Sequence, residues 1–245
     1  MIIPYKKELV QTITRFCVSK YNNLFKMSKT PFRVAVEGNI GAGKSTLIDY
    51  YKSYPNVDVY PEPISSWCDV KGNNLLDLIY KDLNKWNFSF QHYVQLSRLN
   101  LQTSPPSNLE TKVQIFERSV QSSRNCFTKN SYKYGYLTDV EYDVLCCWFD
   151  WIEKSMNINL DLIVYLRSSP EIVHKRMLQR CRSEEMAVPL EYLKQVHESY
   201  EQWLIQTPPE NLPSPVLIID ADQSLDDIVK SYKKYESRIF GTEIL

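Results

Sequence analysis

Short apolar runs alternate along this chain with longer stretches in which apolar residues return every three or four positions. The short runs are Phe32–Glu37, Val57–Tyr60, Val113–Phe116, Leu160–Leu166 and Val216–Ile219, each of strand length and most of them apolar on both faces. The second stops at Pro61 and Pro63, which cannot donate to a ladder. Helical spacing predicts helices over 45–51, 73–81, 86–102, 138–156, onward from 170, 189–204 and 224–239. Phe90, Tyr93, Val94, Leu96, Leu99 and Leu101 give the third of these a broad apolar face. Leu190, Leu193, Val196, Tyr200 and Leu204 do the same for 189–204. Thr138 with Glu141 spells a capping box, and Ser169 before Pro170 places proline at a first helical position. Apolar strands separated by helices predict an α/β domain over 31–245, a five-stranded parallel sheet covered on both faces. Ligands of such sheets gather beyond the C-terminal ends of the strands.

The first strand leads directly into Gly38-Asn39-Ile40-Gly41-Ala42-Gly43-Lys44-Ser45-Thr46, a phosphate-binding loop of the form G-x-x-x-x-G-K-[ST]. Its glycines allow a tight turn whose N–H groups point inward at a phosphate, and the following helix presents its positive end. Lys44 is placed to reach the β- and γ-phosphates, and the Ser45 hydroxyl to hold Mg²⁺. This is the pattern of a protein that binds a nucleoside triphosphate.

Composition narrows the class further. Lysine plus arginine equal aspartate plus glutamate at 29 each, so no bulk charge argues for nucleic acid or a membrane surface as partner. No apolar run approaches the roughly 18–20 residues of a membrane span. The six cysteines have no C-x-x-C spacing, which fits reduced thiols inside a cell better than a disulfide framework. His92, His174 and His197 lie far apart and form no metal motif. Residues 1–30 differ from the rest: Lys6, Lys7, Arg15, Lys20, Lys26 and Lys29 face one acid, Glu8. A basic amphipathic segment of this kind reads as either an N-terminal arm or a targeting segment, with mitochondrial matrix favoured over cytoplasm.

Phosphoryl transfer needs a base for the acceptor, a metal ligand and positive charge on the moving group. Glu62 follows the second strand and is the candidate base. Glu117 and Arg118 follow the third. Arg176, Arg180 and Arg182 sit on or just beyond the helix after the fourth strand, as a mobile arginine-bearing lid would. Taken singly, each has a bland alternative as a structural ion pair or a solvated basic face.

The ordered set of motifs resembles the deoxyribonucleoside kinases, the branch that includes mitochondrial thymidine kinase, deoxycytidine kinase and the insect multisubstrate enzyme. The matching stretches are Val36–Thr46, Pro61-Glu62-Pro63 with Trp67, Leu78–Asp82, Phe90-Gln91-x-Tyr93, Phe116–Ser119, Asp161–Arg167, Arg180–Glu185 and Val188–Leu193. The resemblance implies a P-loop kinase fold with an arginine lid, ATP and Mg²⁺ as cofactors, and phosphorylation of a deoxyribonucleoside 5′-hydroxyl. It implies Glu62 as base with Arg118 beside it and Lys44 on the phosphates, and Ser45 and Glu117 on Mg²⁺. Arg176, Arg180 and Arg182 would lie over ATP, and Tyr80 and Glu185 would hold the sugar. Gln91 would bond the base edge, with Phe127 stacked on the base and Trp67, Phe90 and Val94 around it. A homodimer is implied too, and the aromatic helix segment Val144–Trp151 supports it only weakly.

Arg98 departs from the family pattern. Thymidine-preferring relatives carry an apolar residue there, whereas relatives with arginine pair it with an aspartate that falls at Ser123 here. Without that acid, Arg98 either turns outward or bonds another acceptor, leaving room for thymine's methyl group; turned inward, it favours cytosine or purines. A pyrimidine-preferring salvage kinase is the expected activity. The alternatives are a nucleoside monophosphate kinase, which needs a further basic clamp, and a catalytically silent structural subunit, which would not need both Lys44 and Glu62.

Overall fold

The computed structural model describes residues 30–182, 185 and 188–242. The basic segment, 1–30, therefore lies outside the described residues except for Thr30. Five strands, β1 (Phe32–Glu37), β2 (Val57–Tyr60), β3 (Val113–Glu117), β4 (Leu162–Arg167) and β5 (Val216–Asp220), form one sheet in the order β2-β3-β1-β4-β5. Every neighbouring pair is parallel; in the centre Val34 lies opposite Ile115 on one side and Leu162 on the other.

Strand alternation distributes the core over two faces. Val34 and Val36 of β1 join Ile115, Val164 and Ile219 in a layer shared with Leu47, Tyr51, Val173, Met177 and Tyr232. Ala35, between them, points the other way and packs with Phe116, Ile163 and Tyr165 under Val196, Tyr200 and Trp203. Helices consequently cover both sides, as apolar parallel strands require.

The helices are α1 (Lys44–Tyr51), α2 (Ile64–Cys68), α3 (Leu75–Lys81), α4 (Leu83–Gln102), α5 (Val120–Ser122), α6 (Lys129–Lys133), α7 (Asp139–Ser155), α8 (Pro170–Arg180), α9 (Leu190–Leu204), α10 (Leu225–Lys234) and α11 (Glu236–Ile239). A π-helical stretch, Ser123–Thr128, joins α5 to α6. Caps set several starts. Asn74 accepts from the Asp77 N–H at 2.9 Å, and Asp82 accepts from the Lys85 N–H at 3.1 Å, so α4 begins three residues before the apolar spacing suggests. The capping box at Thr138 is present, with Glu141 reaching back to the Thr138 N–H at 2.9 Å. β4 starts at Leu162 rather than 160, because the Asp161 carboxylate accepts from the Arg33 N–H at 2.8 Å instead of extending the strand. The segment predicted as one helix over 224–239 is two, broken at Tyr235.

Among the described residues no helix is long and apolar enough to cross a membrane, and no disulfide forms. The three histidines are each partly buried. No group of metal-ligating side chains gathers around them among the described residues.

Candidate active site

The loop after β1 begins with Gly38 at φ +148°, where a Cβ would stand 2.6 Å from the Leu166 carbonyl oxygen of β4. Only glycine lets the loop lie this close to the sheet. Gly43, at φ +94°, is the N-cap of α1 in a left-handed conformation, so the loop turns into the helix without a side chain at the bend. Asn39 stiffens the turn, accepting from the Ile40 N–H at 2.9 Å and donating to the Leu193 carbonyl at 2.8 Å. Lys44 is buried and its ammonium donates to the Asn39 carbonyl at 2.9 Å. Burial and nearby Arg118 pull the Lys44 pKa down to about 8, against the opposing pull of Glu62, Glu117 and Glu37.

Beside this loop stands a compact array of charge. The Ser45 hydroxyl donates to Glu117 Oε1 at 2.8 Å, and Glu117 Oε2 accepts from the Glu62 N–H at 3.3 Å. Glu62 Oε1 in turn lies 2.6 Å from Arg98 Nη2 and 3.1 Å from Arg118 Nε. Burial alone would raise the Glu62 carboxyl, but Arg118, Arg98 and Lys44 outweigh it and hold the group down at about 2. Arg98 is 5% exposed and points inward, its Nη1 donating to the Ser123 hydroxyl at 2.8 Å. Its guanidinium lies 5.3 Å from the Phe127 ring centre and 5.7 Å from that of Trp67.

One cavity of about 700 Å³ joins these groups, within the range of small-molecule sites. Its wall takes in Ile40–Thr46 of the loop with Arg176, Arg180 and Arg182, and an aromatic group of Trp67, Tyr80, Phe90 and Phe127 with Gln91, Val94 and Arg98. Glu62, Glu117 and Arg118 line the wall between them. The Gln91 carbonyl oxygen is buried there without a hydrogen-bond partner among the described residues. Trp67 is held in place by its indole N–H, which donates to Ser97 at 2.9 Å. Arg180 and Arg182 both bind the buried Glu185 carboxylate, the latter at 2.7 Å. Arg176 donates to the backbone carbonyls of Ala221 at 2.6 Å and Gln223 at 3.1 Å.

The model of the deoxynucleoside kinase family matches residues 34–242. The chain belongs to the deoxynucleoside kinases. It is 40% identical over 210 residues to mitochondrial thymidine kinase 2 of Homo sapiens, covering 86% of this chain and 78% of that protein. The same figures hold for mitochondrial thymidine kinase 2 of Macaca fascicularis. Similarity to deoxycytidine kinase 1 of Xenopus laevis is 35% over 234 residues, covering 84% and 87% of the two chains. As a deoxynucleoside kinase it is a phosphotransferase that phosphorylates deoxyribonucleosides with ATP as donor.

Of the residues singled out in the sequence, this kinase places all but three on the cavity wall. Gly38 and Asn39 belong to the loop but face away from the cavity, shaping the turn, and Ser123 lies behind Arg98, reaching the cavity through that side chain. Of the readings open for Arg98 the structure combines two: the side chain lies inward and, lacking an aspartate at 123, bonds another acceptor, Glu62, as its counter-ion. Sequence reasoning gave no site role to Tyr192, although it lies in the matching stretch Val188–Leu193, nor to Ile64, Leu76 and the Gln223–Leu225 segment on the wall, for which no local signal exists. It also missed a buried network behind the wall. Glu37, fully buried, accepts from the Ser119 hydroxyl at 2.6 Å and from the Tyr200 hydroxyl at 2.9 Å. Its place inside Val36-Glu37-Gly38, immediately before the loop, was the available signal.

Proposed function

We propose that this kinase moves the γ-phosphate of ATP to the 5′-hydroxyl of pyrimidine deoxyribonucleosides in nucleotide salvage, deoxycytidine ahead of thymidine. The observation that carries the reading is the continuous cavity, with Glu62 standing between a phosphate loop and an aromatic compartment. Glu62 is the base that takes the 5′-hydroxyl proton, and Arg118 steadies the hydroxyl and the moving phosphoryl group. The phosphates of ATP, arriving beside Lys44 and Arg118, add negative charge and draw the Glu62 pKa up from its low resting value. Lys44 and the N–H groups of Gly41–Thr46, a part of the loop on the cavity wall, hold the β- and γ-phosphates. Arg180 and Arg182 pass from Glu185 toward the phosphates as the lid closes, and Arg176 braces the adenine end.

The donor set beside the loop fits Mg²⁺: one hydroxyl, Ser45, hydrogen-bonded to one carboxylate, Glu117, leaves the remaining positions for water and phosphate oxygens. Bound there, the ion would neutralise charge developing on the phosphates.

In the other compartment, Gln91 bonds the base edge through its unpaired carbonyl and its amide, and Phe127 stacks on the base between Trp67, Phe90 and Val94. Tyr80 packs under the sugar, and with Glu185 it holds the 3′-hydroxyl, leaving no space for a 2′-hydroxyl. Arg98, directed inward, crowds a 5-methyl group and so favours cytosine over thymine. Exposed Val144, Trp148 and Trp151 on α7 pack against the same face of a second copy, giving a homodimer. The basic N-terminal segment, together with relatives named as mitochondrial, supports import into the matrix.

The test is phosphorylation of deoxycytidine, thymidine, deoxyadenosine and deoxyguanosine in parallel by purified protein with ATP and Mg²⁺. The expected order places kcat/KM for deoxycytidine about tenfold above thymidine. A thymidine-first order would overturn the base assignment, and activity restricted to nucleoside monophosphates would overturn the 5′-hydroxyl chemistry.

A further inference from the structure

We propose that Glu37 is a positioning residue for phosphoryl transfer, acting on Arg118 through Tyr200 and Ser119. The inference rests on the role just proposed for Arg118 and Glu62. Glu37 ends the central strand, is fully buried and does not line the cavity. A carboxylate in that place is costly unless both oxygens are satisfied, and both are.

The proton directions in this network follow from its donors. Arg118 Nη1 can only donate, and it donates to the Tyr200 hydroxyl at 2.5 Å, so the tyrosine proton goes to Glu37 Oε2 at 2.9 Å. The Ser119 hydroxyl accepts from the Ser122 N–H at 3.1 Å and so gives its own proton to Glu37 Oε1 at 2.6 Å. Glu37 therefore accepts at both oxygens, which is the ionised form. Burial pushes its carboxyl pKa up, while Arg118, Ser119 and Tyr200 oppose that rise.

This network grips Arg118 at two ends. Ser119 anchors the chain immediately after it, and Tyr200 holds the guanidinium, helped by the Gly38 carbonyl at 2.9 Å. Anchoring is needed because Arg118 sits at φ +65°, a left-handed conformation that side chains other than glycine's adopt reluctantly. With Nη1 fixed from behind, Nε faces Glu62 at 3.1 Å and the guanidinium lies over Phe127. Tyr200 cannot drift, since its ring is buried and stacks on Tyr165 at 5.6 Å between centroids. The arginine is thus set before substrate arrives, which is where orientation contributes to rate.

Tyr200→Phe tests this directly, because the ring packing stays and only the linking hydroxyl goes. The expected result is a kcat about 10- to 100-fold lower, with KM for ATP and nucleoside within about threefold of the parent. In an Arg118→Lys background the same change should cost nothing further, since lysine lacks the fork that the network holds. Glu37→Gln, or Glu37→Asp should that fail to fold, should follow Tyr200→Phe in kcat, and parental kcat in the folded Glu37 variant would overturn its positioning role. Tyr200→Phe at near-parental kcat, with Arg118→Lys strongly impaired, would overturn the positioning role and leave that of Arg118 standing. Arg118→Lys at parental activity would instead remove Arg118 from the chemistry, and the inference with it.

Discussion

Replacing Arg98 by methionine separates the two things this arginine does. Its Nη2 lies 2.6 Å from Glu62 Oε1, and the two side chains are 5% and 11% exposed, so solvent screens the pair poorly. Two unit charges about 4 Å apart interact by about 4 kcal/mol at an effective dielectric of about 20. That corresponds to about three pKa units as an upper bound, and water entering the vacated space reduces it. Arg118 at 3.1 Å and Lys44 remain. The Glu62 pKa should therefore rise by about one to three units from its value of about 2. A carboxyl depressed in the folded state stabilises the fold above its unfolded pKa of 4.5 and loses that contribution as pH falls through about 2. In Arg98→Met the loss begins at the same pH and ends sooner, so the acid-side contribution shrinks. Activity reports the same shift: the base must be ionised, so the variant's kcat/KM should fall off on the acid side at higher pH than the parent's. The assay is kcat/KM for deoxycytidine and thymidine at saturating ATP from about pH 4.5 to about pH 9, parent and variant side by side. The ATP phosphates bring the Glu62 acid limb up into that working range. Limbs belonging to ATP are common to both and cancel in the ratio. Thymidine should gain about tenfold relative to deoxycytidine, the worth of accommodating one methyl group. Superimposable profiles would refute the electrostatic argument, and an unchanged base preference would refute the steric one.

Glu62→Gln should lower kcat about 10²- to 10⁴-fold, the usual worth of a positioned base, and a rate within a few-fold of the parent would remove it from that role. Because the Lys44 pKa rests at about 8, ATP binding to the nucleotide-free protein should weaken as pH rises above that value and should take up a proton there. Calorimetry in buffers of different ionisation enthalpy reads both effects; a dissociation constant flat from about pH 7 to about pH 9 would contradict the depressed lysine. Thr138→Ala removes the hydroxyl arm of the capping box on α7, leaving Glu141 only the backbone N–H, and should cost about 1 kcal/mol, a drop of about 2–4 °C in Tm by thermal melt at unchanged kcat.

The reach of the sequence differs from element to element. α7 and α9 were legible because apolar spacing and, for α7, the cap are local properties of consecutive residues. Segment 120–133 was not. Its Gln121, Ser122, Ser123, Thr128, Asn130 and Ser131 are polar yet buried, and only packing against α4, α7 and α9 makes that stretch helical. Likewise, the phosphate loop and the carboxylates after β2 and β3 could be read directly, since each motif sits at a strand end and parallel topology carries all strand ends to one rim.

What the sequence determined by itself was therefore the fold class, the phosphate loop and the family, all carried by spacing along the chain. The tertiary structure alone decided where Arg98 points and what neutralises it. Those are questions of which charges, far apart in sequence, become neighbours on burial, and residue 98 meets residues 62 and 123 only once α4 packs beside the loop after β2 and the π-helical stretch. The Glu37–Tyr200–Arg118 network belongs to the same class, since its members lie on β1, α9 and the turn after β3. Burial turns such groups from solvated charges into fixed partners, and no local pattern records that.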